Sequence, residues 1–170
     1  MKNYKNLFLG FLLMLTPMLS FAQKKKADKE TAQWRYEIEA AGVGTQGTYQ
    51  IKVWSYSKDA NTAIEQAKKN AVHGIIFRGF PAKDRVPAQK PLAQSPNLEQ
   101  EKEGFFKDFF ATGGKYLKFV SLSNNGNIAP EDRIKIGKEY KIGVVISVNQ
   151  ALLRKDLEDA GIIKGLSNGF

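Results

Sequence analysis

The sequence predicts an α+β fold, with a single antiparallel sheet of about four strands and helices packed on it. Three features support this class: an alternating hairpin near residue 34, an alanine-rich helical stripe behind it, and an almost wholly apolar strand near the carboxyl end. The elements follow in the order β-β-α-(α)-β-β-α. No repeat or shift in composition divides them, so we expect one domain over residues 34–170.

Two alternating segments predict the opening hairpin. Residues 34–40 place apolar side chains on one face and charged ones on the other, and residues 48–56 repeat the alternation. Such a period of two is typical of half-buried strands. The glycines of residues 42–47 supply the turn between them, because glycine tolerates a positive φ.

The same turn matches the spacing G-x-G-x-x-G at Gly42, Gly44 and Gly47. In dinucleotide-binding folds a helix follows these glycines, since its N-terminus holds the phosphates. Here residues 48–56 predict a strand in that place. We therefore interpret the glycines as turn residues and expect no nucleotide cofactor.

An alanine-rich helix follows the hairpin, and either Ser57 or Asp59 is placed to cap it. Its apolar residues recur three and four apart, which gives a single stripe. The stripe consists of Ala60, Ala63, Ile64, Ala67, Ala71 and Ile75. Because alanine side chains are short, we expect this helix to pack flat on the hairpin.

Residues 78–97 form the longest irregular segment and contain four prolines. A loop of this length inside a domain is often functional or mobile. It carries four candidate anion contacts, Arg78, Lys83, Arg85 and Lys90. Attraction to a polyanion is one interpretation. A solvated basic surface is the other, and it is the one we favour.

A second helix is predicted behind Ser95 and Pro96, which have the pattern of a cap and a first helical residue. We expect it to end at Gly113 and Gly114. It carries an aromatic group, Phe105, Phe106, Phe109 and Phe110. We expect most of this group in the core, and any exposed pair is the candidate contact for a partner protein.

The last third of the chain predicts two strands and a helix. Residues 116–123 are strand-like, residues 124–127 are a turn signal, and residues 133–149 form one long strand. Asn149 caps a last helix that ends at Gly161. The long strand carries a second basic set, Arg133, Lys135, Lys138 and Lys141.

The composition excludes several classes of site. The chain has no cysteine and one histidine, so disulfides, thiolate metal sites, cysteine nucleophiles and His-rich metal centres are ruled out. His73 has no local carboxylate that would orient it as a base, and we interpret it as structural. Asp156, Glu158 and Asp159 alternate with basic residues, which favours a solvated face over a cation site. We expect no catalytic residue, metal or cofactor, and hence no enzyme.

The first 22 residues have the three parts of a cleaved secretory signal peptide. Two lysines precede an uncharged apolar run over residues 7–15, and Ser20 and Ala22 are small residues ahead of a cleavage site. The run is shorter than a membrane span of about 20 residues. We expect a periplasmic or secreted protein cleaved near Ala22, with a basic polar leader over residues 23–33 and no transmembrane segment in the mature chain.

Behind its glycine-turned hairpin the chain resembles the small α/β domain of certain bacterial envelope lipoproteins and of the N-terminal part of a flagellar outer-membrane ring protein. The likeness rests on Asp59, Ala60, Ala63, Ala67, Ala71 and residues 74–77. Residues 153–163 are also similar to helix ends in outer-membrane secretion and assembly factors. The chain lacks the lipidated cysteine of the lipoproteins. The resemblance implies a non-catalytic envelope module and assigns no site residue.

Taken together, these patterns favour an exported, non-catalytic interaction or assembly module that docks onto an envelope protein. Its expected contact surfaces are the 78–97 loop and any exposed part of the aromatic group. The alternative is a binder of an anionic envelope polymer or a small ligand through the basic loop, and its binding would weaken with salt. The chain has 26 basic and 17 acidic side chains. No recognition motif accompanies this charge, so specific nucleic-acid binding is not expected.

Overall fold

The computed structural model describes residues 34–165, together with residues 26, 27 and 29. The predicted signal peptide and most of the predicted leader lie outside these residues. Within them, one antiparallel sheet of five strands packs against four helices, which confirms the predicted α+β class. The strands are β1 (Tyr36–Val43), β2 (Thr48–Ser57), β3 (Val120–Leu122), β4 (Arg133–Ile136) and β5 (Glu139–Asn149). The helices are α1 (Ala60–Phe77), α2 (Leu98–Glu101), α3 (Glu103–Phe109) and α4 (Gln150–Asp159).

The sheet has the order β1-β2-β5-β3, and β4 pairs with β5 on the same edge as β3. Along the central pair, Ile51 faces Ile146 and Val53 faces Val144, and all four side chains are buried on the inner face. Alternation along β2 therefore leaves its polar side chains on the outer face. The predicted hairpin β1–β2 is confirmed, and its glycines lead into a strand, not a helix.

Helix α1 covers the inner face of the sheet. The Asp59 carboxylate accepts a hydrogen bond of 2.9 Å from the Thr62 backbone N–H, which caps the helix as predicted. The stripe is fully buried at Ala63, Ala67, Ala71 and Ile75. At Gly74 a Cβ atom would lie only 2.7 Å from Ile38 Cδ1 of β1, so the helix backbone nearly touches the sheet. The predicted flat packing is confirmed, and it extends from the hairpin to β5.

The prediction of one long strand over residues 133–149 is wrong, because the chain reverses at residues 137 and 138. Ile136 pairs with Glu139 across these two residues, and Gly137 has φ +59. A two-residue hairpin turn needs a positive φ, which glycine adopts without steric cost. Residues 133–149 therefore form the hairpin β4–β5, in which β5 is central and β4 lies at the edge.

The predicted strand over residues 116–123 is largely a 3₁₀ helix, Lys115–Phe119, and only β3 remains extended. Tyr116 and Phe119 are both buried and lie three residues apart, which is the period of a 3₁₀ helix. The predicted turn at residues 124–127 is confirmed, since Asn124 and Asn125 have positive φ values of 56° and 53°.

The predicted aromatic helix is divided into α2 and α3. It begins at Leu98 rather than at Pro96, and Lys102 between the two pieces has the non-helical angles φ −119° and ψ 32°. Helix α3 ends at Phe109, ahead of the predicted stop at Gly113, whose φ is +75°. The predicted start and stop are therefore both displaced, and Lys102 divides the helix that the sequence pattern treats as continuous.

The 78–97 loop is fastened to the end of α1. The Leu92 and Ala93 backbone N–H groups donate hydrogen bonds of 3.1 and 2.8 Å to carbonyls of the last turns of the helix. Phe80 and Gln89 form an antiparallel bridge across the loop. Three apolar residues of the loop, Phe80, Val86 and Leu92, are buried. The loop is therefore hydrogen-bonded to the end of α1 and contributes three side chains to the core.

At the carboxyl end, the Asn149 side chain caps α4 by accepting a hydrogen bond of 2.9 Å from the Leu152 backbone N–H, as predicted. Leu153 and Leu157 of this helix are fully buried. Gly161 has φ +66° and ends the helix region. None of the helices in the described part of the chain combines the length and apolar character needed to cross a membrane.

Candidate functional site

The single histidine lies in a buried polar network. Tyr36 of β1 places its hydroxyl 2.6 Å from His73 Nδ1, and Glu99 of α2 places Oε2 3.3 Å from His73 Nε2. The other Glu99 oxygen accepts a hydrogen bond of 2.9 Å from the Trp34 indole N–H. The Trp34 ring stacks on the imidazole with centroids 3.6 Å apart. Both ring nitrogens of His73 are thus engaged by protein groups.

Burial and hydrogen bonding set the ionisation of this network. Burial lowers the pKa of His73 from its ordinary 6.5, and the Glu99 carboxylate opposes that shift only in part. The pKa of Glu99 is lowered, and the hydrogen bond from His73 is the largest cause of that shift. Burial raises the pKa of the Tyr36 hydroxyl. The network therefore holds a neutral imidazole between a neutral phenol and a carboxylate at neutral pH.

The network joins three segments that are far apart in the sequence. Arg78 strengthens the junction, because its guanidinium donates to the backbone carbonyls of Tyr36 and Trp34 at 3.0 and 2.8 Å and stacks 4.0 Å from the Tyr36 ring. Trp34 itself has φ +47°, a conformation that is rare for a bulky residue. We expected no local carboxylate for His73, and the one it uses, Glu99, lies 26 residues away. The geometry fits the predicted structural histidine.

The aromatic group lies mostly in the core. Phe106, Phe109 and Phe110 are buried, and Phe105 is half-buried. Their rings pack against Phe77 of α1 and Phe119 of the 3₁₀ helix. Neither of the pairs 105/109 and 106/110 is exposed, so a partner reaches only Phe105 in this structure. A partner-contact role for the group stays a prediction.

The predicted anion contacts do not act as one free basic surface. Arg78 is directed to the carbonyls described above, and Lys83 forms an ion pair of 2.8 Å with Glu39 of β1. Of these four, only Arg85 and Lys90 are exposed without an ionic partner among the described residues. Half of the predicted set is therefore committed to contacts within the fold.

The acidic residues of α4 are all paired. Asp156 contacts Lys115 at 2.7 Å, while Glu158 and Asp159 contact basic residues one turn away on the same helix. Asp159 is exposed, as a solvated face requires, whereas Asp156 and Glu158 are half-buried and Asp156 Oδ2 is buried without a hydrogen-bond partner among the described residues. Within the described ranges, no three histidine or acidic side chains come together in a way that would hold a metal ion.

The edge strand β4 is the feature that sequence analysis missed. All four of its residues are exposed, and Ile134 and Ile136 keep 45% and 47% of their surface in solvent. Their partners on β5, Lys141 and Glu139, place both isoleucines on the outer face of the sheet. Two large apolar side chains side by side on an exposed edge strand are uncommon, because such an edge tends to pair with a strand of another chain. The signal in the sequence is the Gly137 turn, which divides the predicted long strand.

The hairpin register also determines which backbone groups of β4 are free. The residues that flank a two-residue turn form a hydrogen-bonded pair, and such pairs alternate along an antiparallel ladder. Ile136 and Ile134 therefore bond to β5 through their backbone, whereas the N–H and C=O groups of Lys135 and Arg133 are directed away from it. No further strand pairs with β4 in the described part of the chain.

The charges around β4 are unbalanced toward positive. Lys135 and Lys138 form no ion pair with a described residue, and Arg133 stacks 4.7 Å from the Tyr140 ring. Of the neighbouring carboxylates, Asp132 and Glu139 are already paired with basic residues of β2 and of the segment before β1, whereas the exposed Glu131 has no ionic partner among the described residues. Lys141, the fourth member of the second basic set, pairs with Glu37 at 2.6 Å. We call residues 133–138 the basic edge.

Comparison of the chain with protein-family models, with curated proteins and with solved structures finds no significant match.

Proposed function

We propose that this protein is an exported, non-catalytic interaction module of the cell envelope, and that it binds an extended segment of a partner protein by strand addition along the basic edge. The observation that carries this proposal is the pair of exposed isoleucines on an edge strand, whose outward backbone groups meet no other strand within the described residues. Strand addition obtains affinity from main-chain hydrogen bonds and specificity from alternate side chains.

The chemistry of the edge defines the partner segment. On one face of β4 the partner meets two isoleucines, and on the other it meets Arg133 and Lys135. A segment that alternates apolar and acidic residues satisfies both faces, because apolar contacts and opposite charges in cross-strand pairs are stabilising. Edge lysines often protect a sheet from unwanted pairing. That role does not explain the exposed isoleucines beside them.

A non-catalytic role is supported by the state of His73. Its side chain is 4% exposed, and each ring nitrogen already has a protein partner. A general base must reach the proton that it abstracts. His73 contacts Tyr36 and Glu99 instead, and both serve to join β1, α1 and α2.

Photocross-linking in the cells that make the protein tests the proposal. A photoreactive residue in place of Ile136 is compared with one in place of Leu152, which is equally exposed at 47% but lies on α4. We expect position 136 to capture one protein through an extended acidic and apolar peptide, identified by mass spectrometry, and position 152 not to capture it.

Two substitutions at one residue separate backbone pairing from charge. Lys135→Pro removes an outward N–H group, so we expect the cross-link to be lost. Lys135→Ala keeps this N–H group and removes only the charge, so we expect several-fold weaker capture. Capture that is unchanged in Lys135→Pro, or equal at position 152, would overturn the proposal. Heterogeneous capture that is prevented when high salt is added before irradiation would favour the anionic-polymer alternative in its place.

A further inference from the structure

A polar cleft opens on the outer side of the sheet, away from the basic edge. Three segments form it: the β1–β2 turn, the end of the 3₁₀ helix with β3, and the last residues of β5. Its volume is about 430 Å³, which lies within the usual range for small-molecule sites. The polar side chains that line it are Thr45, Thr48, Gln50, Lys118, Ser121, Ser147 and Asn149.

Most of these polar side chains have no hydrogen-bond or ionic partner among the residues that the structure describes. Ser147 shares a hydroxyl hydrogen bond of 3.1 Å with Ser123, and Asn149 caps α4. The other five lining side chains make no hydrogen bond or ion pair with a described residue. A group of unengaged hydroxyl, amide and ammonium groups around one concavity is suited to a ligand that supplies the missing partners.

The charge of the cleft is positive. Among the described residues, Lys118 is the only charged one that lines it, and no carboxylate does. Elsewhere on the outer face the lysines are neutralised, since Lys52 and Lys141 pair with Asp132 and Glu37 at 2.7 and 2.6 Å. An ammonium group that has no internal counter-ion favours an anionic group in the same place.

We propose that this cleft binds a small hydroxylated ligand carrying one anionic group, of the class of sugar acids and sugar phosphates. Lys118 binds the anionic group. Thr45, Thr48, Gln50 and Ser121 both donate to and accept from ligand hydroxyls, because hydroxyl and amide side chains have both capacities. This inference does not depend on the partner proposed for the basic edge.

Amide shifts of the ¹⁵N-labelled protein test the site directly. Glucuronate, glucose 6-phosphate and glucose are titrated at matched ionic strength, so that carboxylate, phosphate and neutral ligands of one ring shape are compared. We expect saturable shifts at Gly44, Thr45 and Ser121 with at least one of the anionic sugars, and at least tenfold weaker binding of glucose. The tighter anionic sugar identifies the anionic group that the cleft prefers.

Variants of Lys118 test whether its ammonium group binds the anionic group of the ligand. Lys118→Gln is expected to weaken the anionic sugar at least tenfold, whereas Lys118→Arg keeps binding within a few-fold. Lys102→Gln changes an exposed lysine that does not line the cleft and leaves binding unchanged. Equal binding of glucose, absence of saturable shifts at these amides, or unchanged affinity in Lys118→Gln would each overturn the proposal. Lys135→Pro leaves this binding intact, which separates its failure from that of the edge proposal.

Discussion

At the scale of single residues, His73 shows how one side chain joins distant segments. It is one of five polar or charged residues buried along α1, and its ring is satisfied by Tyr36, Glu99 and the stacked Trp34. A buried polar group is tolerated when its hydrogen bonds are made, and it is costly when one partner is removed. The stability of the fold therefore depends on the complete network more than on any one contact.

Replacing the imidazole should show this dependence. His73→Ala leaves the Tyr36 hydroxyl and one oxygen of Glu99 without their imidazole partner, while the other Glu99 oxygen keeps its bond from Trp34. It also opens a cavity beneath Trp34, so we expect the free energy of unfolding to fall by about 3 kcal/mol. Urea denaturation followed by Trp fluorescence measures it. The control Lys107→Ala, on the exposed side of α3, should change it by less than about 0.5 kcal/mol. A loss below about 1 kcal/mol in His73→Ala would contradict the interpretation.

The lowered pKa of His73 predicts a pH dependence of stability. In the unfolded chain the imidazole binds a proton at its ordinary pKa of 6.5, whereas in the folded protein burial keeps it neutral to lower pH. The unfolded state thus binds more protons, and stability falls as the pH drops from 6.5 toward the folded pKa. Glu99 adds to the loss only below its ordinary pKa of 4.5, since its folded pKa is also lowered.

Because His73 is the only histidine, both sides of this prediction are measurable. We expect the one imidazole signal in proton NMR spectra to titrate with a midpoint below 6.5. His73→Gln should flatten the dependence of the unfolding free energy on pH between 7 and 5. A midpoint at or above 6.5 would mean that the Glu99 carboxylate outweighs burial, and the sign of the dependence would then be reversed.

At the scale of elements, the hairpin β4–β5 has the largest consequence. Gly137 lets the chain reverse in two residues, so β5 lies at the centre of the sheet while β4 is left at its edge. The two strands of this hairpin are hydrogen-bonded to each other, but β5 also pairs with β2 on its other side, whereas β4 pairs with no second strand in the described part of the chain. An edge with exposed apolar residues follows directly from where the turn lies.

Two glycine substitutions test this element. Gly137→Ala places a Cβ atom on a residue with φ +59, so we expect a loss of about 1 kcal/mol in the free energy of unfolding. Gly104→Ala lies within α3 with open space around its Cβ position, so we expect a gain of about 0.5 kcal/mol from helix propensity. Urea denaturation distinguishes the two. Changes of the same sign in both variants would contradict the assigned turn.

At the scale of the whole molecule, the fold separates its interior from two unlike surfaces. Helix α1 and the aromatic group close the inner face of the sheet, and the network around His73 seals one end of it. The outer face carries the paired charges near Trp54, with the polar cleft beside β3 and the basic edge at β4. The polar cleft and the two isoleucines of the basic edge therefore lie on the outer face of the sheet, whereas Arg133 and Lys135 lie on the opposite face of β4.

The export prediction belongs to this scale. If the first 22 residues are a signal peptide, the protein recovered from the producing cells should begin at Gln23. Intact mass and N-terminal sequencing of the purified protein measure this. Protein that begins at Met1 in the envelope or medium would contradict the prediction, and with it the compartment assumed for the partner.

The alternation of residues along the hairpin, the alanine spacing of α1 and the caps Asp59 and Asn149 determined most of the sheet and helices from the sequence alone. These are local signals, because a period of two or of 3.6 and a capping side chain act within a few residues. The antiparallel sheet with helices on it follows from them. The divided aromatic helix and the 3₁₀ helix at residues 115–119 did not follow, since packing against α1 and β5 overrides weak local preferences there.

Only the tertiary structure decided which residues meet. The His73 network combines side chains up to 65 positions apart, and the polar cleft is lined from three separate segments. No local pattern carries such information. The basic edge could not be predicted for a different reason. A glycine at position 137 is compatible with either a bulge or a chain reversal. Which of the two forms depends on the pairing of β5 with β2 and β3 on its two sides. The sequence thus determined the opening hairpin, α1 and α4, whereas pairing across the sheet decided which surfaces remain open to a partner.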